Sequence, residues 1–161
     1  MAKKRVYVET SVISCLASRP ARDLKKLVIQ QATWDWWEQR HRWELYTSPM
    51  VLQEIEQGDT EAARVRIAYA TKMIELPESN EVRELADKLI AAGLIPPKVF
   101  ADAMHIASAA VHGMDYLITW NQKHIFNPFR IEAIYAAIRQ SNWIPPVLLR
   151  PDNLLEKDHD D

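Results

Sequence analysis

A helix that runs through one glycine straight into an apolar strand constrains this chain more than any other stretch. Pro96 and Pro97 precede an alanine-rich run and Gly113 closes it, the proline-in, glycine-out punctuation of a helix. The spacing predicts that helix over 98–112. Ala103, Ile106, Ala107 and Ala110 recur at three- and four-residue steps, while Asp102, His105, Ser108 and His112 share another side. After Gly113 comes the compact apolar run Tyr116-Leu117-Ile118-Thr119-Trp120, made of residues that strands favour. A buried strand entered from a helix belongs to a βαβ-type parallel sheet. Asn121 and His124 then follow the carboxyl end of the strand, where such sheets keep their ligand crevice.

The remaining segments extend the same pattern. Arg5 to Glu9 reads as a first buried strand, Val6-Tyr7-Val8 followed abruptly by Glu9-Thr10-Ser11. Glu9 there is either a helix cap or a ligand or base at the crevice, and Thr10 and Ser11 are expected to cap a helix beginning near Val12. One helix, or two joined, is expected over 21–41 with the stripe Leu24, Leu27, Val28, Ala32 and Trp36 facing inward. Trp34, Trp36, Trp37 and Trp43 crowd this region, and some are expected to be exposed for contact with a partner. Trp43 to Thr47 reads as a second strand. Ser48-Pro49 then specifies a helix start, and Glu54 lies in that helix. Further helices are expected over 60–72, 79–92 and 128–140, with a short strand at 73–76 and an edge strand within 144–149.

The fold class is therefore α/β, a parallel sheet flanked by helices. With 161 residues, 48% hydrophobic and 26% charged, the chain fits one domain over 1–151. The acids Asp152, Glu156, Asp158, Asp160 and Asp161 make 152–161 an acidic tail, expected to be mobile. The body left behind is only slightly basic, unlike a dedicated DNA-binding module. No apolar run is long enough to span a bilayer and the N-terminus lacks a signal-peptide core, so the expected address is cytoplasmic, without membrane contact.

Several chemistries are disfavoured by what is missing. The three glycines stand apart, which disfavours the phosphate-cradling loops of nucleotide-cofactor enzymes. No Gly-x-Ser-x-Gly elbow occurs, the single cysteine, Cys15, has no evident base, and no His-x-x-x-His pair suggests zinc. Glu9, Glu54, Asp102 and the amide of Asn121 remain, each following a predicted strand or opening a helix beside one. Carboxylates gathered without basic partners raise one another's pKa and are usually reconciled by a divalent cation. Hard oxygen donors select magnesium or manganese.

Taken together, Val8-Glu9-Thr10-Ser11, Glu54, Ala101-Asp102-Ala103-Met104-His105-Ile106-Ala107 and Thr119-Trp120-Asn121-Gln122-Lys123-His124-Ile125 resemble a PIN-domain protein of the VapC-like ribonuclease toxin type. The resemblance implies a PIN-like three-layer sandwich and magnesium- or manganese-dependent cleavage of RNA. It also implies a homodimer and inhibition by a small antitoxin. By position, Glu9 and Asp102 would be metal ligands, Glu54 the second acid and Asn121 the polar residue at the fourth site. Thr10 or Ser11 would support the first acid, and Lys123 is either a phosphate contact or a plain surface residue. Two positions depart from the family, which normally has Asp where Glu9 stands and commonly an acid where Asn121 stands. His105 is expected to pack or to orient its neighbours. Two rival readings are a catalytically degenerate PIN-like module that binds RNA or a protein, and a small-molecule phosphohydrolase.

Overall fold

In the computed structural model, which describes residues 2–157, a five-stranded parallel sheet has the order β3-β2-β1-β4-β5. Strand β1 (Arg5–Val8) is central, pairing with β2 (Glu44–Thr47) on one side and β4 (Tyr116–Ile118) on the other. The outer strands are β3 (Ile74–Glu75) and β5 (Val147–Leu149). Val6, Tyr7 and Val8 are fully buried, which is why β1 reads as a continuous apolar run rather than an alternating one. The register sets Val8 beside Ile118, so both chains leave the sheet at the same edge. Because the strand order turns back at β1, this edge is the topological switch point where crevices open.

Helices cover both faces. The chain runs from β1 into α1 (Thr10–Ala17) and α2 (Leu24–Glu38), and from β2 into α3 (Pro49–Ile55) and α4 (Thr60–Ala70). Next come α5 (Asn80–Ala91) and α6 (Phe100–Val111), preceded by a 3-10 turn over Pro97–Val99. Then α7 (Ile131–Gln140) follows β4, and α8 (Pro151–Lys157) follows β5. Gly113, at φ 68°, makes the left-handed turn between α6 and β4 that a side chain would strain. Helix α6 itself is buried almost throughout, because alanine at most inward positions lets it lie close to its neighbours.

Four expectations need correction. Helix α1 begins at Thr10 and its cap is Glu9, whose carboxylate accepts the Ser11 N–H at 3.0 Å; a glutamate that folds back does what Thr10 and Ser11 were expected to do. The first part of the α2 stripe points outward, with Leu24 74% and Val28 62% exposed, and only its last member, Trp36, is fully buried. Its buried side carries Gln30, Thr33 and Trp36, and Gln30 is satisfied there by Ala21 N–H, Ser18 Oγ and the Arg19 carbonyl. The tryptophans mostly pack internally. Trp36 stacks on buried Trp43 at 6.4 Å, and Trp37 meets Tyr69 edge-on at 5.2 Å under the Arg40 guanidinium. Residues 152–157 of the acidic tail lie in α8, where Leu154 is fully buried; residues 158–161 lie outside the described residues.

Candidate active site

Four elements deliver polar side chains to the switch-point edge. Glu9 stands at the end of β1, Glu54 in α3 after β2, Asp102 in the first turn of α6, and Thr119 with Asn121 just beyond β4. Sequence-remote acids meet here because parallel strands all end at the same side.

Glu9 is buried and held by three donors. Its Oε1 accepts the hydroxyls of Ser11 and Thr119, both at 2.5 Å, and its Oε2 accepts the Ser11 N–H. Each hydroxyl in turn accepts a backbone N–H from the segment after β4, Ser11 from Trp120 and Thr119 from Asn121, both at 2.9 Å. The carboxylate thus sews the ends of β1 and β4 together. An ionised carboxylate offers about four lone-pair positions, and one of Glu9's remains open.

Glu54 is half-buried. Its Oε1 accepts the Thr10 hydroxyl at 2.6 Å and the His105 Nε2–H at 2.5 Å, while Oε2 takes no donor among the described residues. Burial pushes its pKa up, but the His105 hydrogen bond and charge, with the Thr10 bond, outweigh burial and hold it below the ordinary glutamate range. Asp102 shows the opposite balance. Burial raises its pKa above the ordinary aspartate value, the Asn121 side-chain hydrogen bond and the charge of His105 work against the rise, and Glu9 adds to it. Among the described residues no lysine or arginine forms a salt bridge with Asp102. Glu54 and Asp102 both line a groove of about 380 Å³ with Met50, Gln53, Lys98 and Phe100.

One ligand atom each of Glu9, Glu54 and His105 lies within 4.8 Å of the others. His105 is fully buried, however, and both its ring nitrogens are engaged, Nε2 by Glu54 and Nδ1 by the Tyr7 hydroxyl at 2.7 Å. The donors left over are carboxylate oxygens, a set that fits a hard divalent ion. Asn121 directs its Oδ1 to the His124 N–H at 3.0 Å, closing a turn, and its amide faces Asp102. Lys123 is exposed in the same turn.

Thr119, Tyr7 and Ser48 are site residues that the sequence reading did not single out. Thr119 had a signal, a threonine ending an apolar strand run. Tyr7 had none, since its ring satisfies a strand pattern and its hydroxyl acts through distance.

Comparison of the coordinates with solved structures decides the fold. The VapC20 toxin of Mycobacterium tuberculosis, described as Sarcin-Ricin loop cleaving, superposes with a TM-score of 0.57 at 17% identity, covering 76% of this chain and 95% of its own. VapBC2 of Rickettsia felis, solved bound to a DNA fragment from its promoter, gives 0.58 at 15% identity and covers 91% and 97%. The chain has the VapC fold. No protein-family model and no curated protein matches the sequence, so the VapC likeness is carried by architecture. Within that fold Glu9, Glu54 and His105 bring ligand atoms together at the sheet edge; Asp102 is outside that group of three, though near enough for the charge of Glu9 to act on it. Among the described residues no helix is long and apolar enough to cross a membrane.

Proposed function

We propose that this chain is a magnesium- or manganese-dependent endoribonuclease and the toxin member of a toxin–antitoxin pair. One observation carries the reading: Glu9, Glu54 and Asp102 stand at the crevice of a VapC fold held by hydroxyls, an imidazole and an amide, and among the described residues none of the three forms a salt bridge with lysine or arginine. Buried carboxylates so arranged favour a bound dication. Glu9, through its open lone pair, and Asp102 are the residues to hold it. When bound, the ion supplies Lewis acidity toward a phosphodiester and favours ionisation of water beside it.

The chain's own groups do the rest. Glu54, anchored through Oε1, presents Oε2 to accept a proton from attacking water. Its lowered pKa keeps it ionised and ready for that role at neutral pH. Asn121 holds the turn after β4 and steadies Asp102. Thr10 and Ser11 fix Glu54 and Glu9 and line the approach of substrate, and Lys123 meets a phosphate of the RNA. The VapBC2 neighbour supports a small antitoxin as partner, and a homodimer is the assembly we favour.

The test is cleavage of RNA by purified protein with magnesium or manganese, compared with Asp102→Asn. The wild type should cleave and the variant should not; equal cleavage by both would overturn the assignment. A second reading, a PIN-like binding module without catalysis, is favoured by the three internal donors on Glu9 and by the neutral Asn121. Calorimetric titration with manganese separates the two, because a degenerate site gives no heat that depends on Asp102.

A further inference from the structure

Behind Glu54 lies a buried chain of hydrogen bonds that reaches the cap of its own helix. Ser48 caps α3, accepting the Val51 N–H at 3.3 Å, and its hydroxyl meets the Tyr7 hydroxyl at 2.7 Å. Tyr7 continues to His105 Nδ1 at 2.7 Å, and His105 Nε2 continues to Glu54 Oε1 at 2.5 Å. Ser48, Tyr7 and His105 are all at most 2% exposed. Three elements, α3, β1 and α6, are joined by this chain, which leaves α3 at its N-cap and returns to it near its end.

The direction of the bonds follows from the groups. An ionised carboxylate only accepts, so Nε2 carries a proton. In the neutral ring Nδ1 can only accept, so Tyr7 donates to it and Ser48 donates to Tyr7; in the charged ring Nδ1–H donates to Tyr7 and Tyr7 donates to Ser48. Every polar atom in the chain is paired, as burial requires, and no nitrogen of His105 is left for an ion.

We infer that His105 is a positioning residue, locked by Tyr7 and Ser48, that fixes Glu54 Oε1 so that Oε2 alone faces the crevice as the proton acceptor. This inference rests on the nuclease reading and names two residues beyond it, His105 and Tyr7. Glu54 is a flexible side chain on a short helix. Held by Thr10 alone it keeps one bond and regains rotamers; held by Thr10 and a locked imidazole it has one orientation. A second bond that restricts a base acts on the chemical step rather than on substrate binding.

The test uses the full chain and three variants. His105→Leu should lower kcat on the order of 100-fold with KM within about twofold. His105→Gln, which keeps a donor toward Glu54, should recover most of that loss, and Tyr7→Phe should cost several-fold in kcat with KM unchanged. Folding of each is checked by circular dichroism. Unchanged kcat in folded His105→Leu, or His105→Gln as impaired as His105→Leu, overturns the inference.

A second measurement needs neither metal nor RNA. Proton and nitrogen NMR of the metal-free protein should show a slowly exchanging imidazole N–H on Nε2, absent in His105→Gln and shifted in Tyr7→Phe and Glu54→Gln. A His105 ring bearing its proton on Nδ1 alone overturns the inference even if His105→Leu does not fold. Absence of cleavage by the wild type counts against the nuclease reading instead, and the resonance judges the hydrogen-bond chain separately.

Discussion

Thr119 left only a faint signal in the sequence, and its removal should be felt most plainly. It is fully buried, donates to Glu9 and accepts from Asn121 N–H. Thr119→Val keeps the shape and leaves a buried carboxylate one donor short, so it should cost about 1–3 kcal/mol, read by urea unfolding. Asp102 argues the other way. Its raised pKa means the native state binds the proton more readily than the unfolded chain, so its contribution to stability is present at low pH and lost as pH rises through the native value. In EDTA, Asp102→Asn should therefore melt higher than the wild type at pH 7, a gain that vanishes as pH falls below the ordinary aspartate value of 3.8. Glu54 has the reverse sign: the stability it gives is present above the ordinary glutamate value of 4.5 and lost as pH falls through its depressed native value. Melting curves against pH for Asp102→Asn and Glu54→Gln should bend in opposite directions. Glu9 and Glu54 were legible because each follows a strand, and Asp102 because it lies in the first turn of a well-punctuated helix. Their hydrogen-bond partners were not, because Thr119 and Tyr7 differ from ordinary strand residues only in where their hydroxyls point.

At the scale of elements, α2 and α8 show where pattern reading gives way to packing. A stripe of leucine and valine on α2 predicts the inward face, yet Gln30 and Thr33 take it because their polar groups find partners there: Gln30 on the 18–21 segment, Thr33 on the Ile29 carbonyl and the Trp120 indole. Leu24→Lys and Val28→Lys should accordingly change unfolding free energy by no more than about 0.5 kcal/mol, where an inward stripe would lose several times that. In α8 the acids of 152–157 dominated the reading and the two leucines were overlooked. Leu154 is fully buried, so Leu154→Ala should cost about 2–5 kcal/mol in denaturant unfolding. The helices with strong punctuation were read well, α3 from Ser48-Pro49 and α5 from Ser79 to its closing glycine, since caps are local chemistry that the sequence states outright.

For the whole molecule, the parallel sheet makes the site and the fold one cooperative object. Glu9, Glu54 and Asp102 arrive from different crossovers, so no separable piece of the chain holds the crevice. Tryptophan fluorescence, circular dichroism and manganese affinity should be lost together in a single transition; carboxylate-dependent binding that survives unfolding would contradict this. The sheet order was foreseen only as parallel, because periodicity identifies strands and not their neighbours. What the fold leaves at Glu9 has a further consequence. With three of its acceptor positions turned inward, this residue has a single anchor to offer, so a cation in the crevice would keep much of its hydration and exchange quickly. On the proposed reading the protein answers to the free magnesium around it from moment to moment, and brief exposure to a chelator should silence it reversibly without disturbing its architecture.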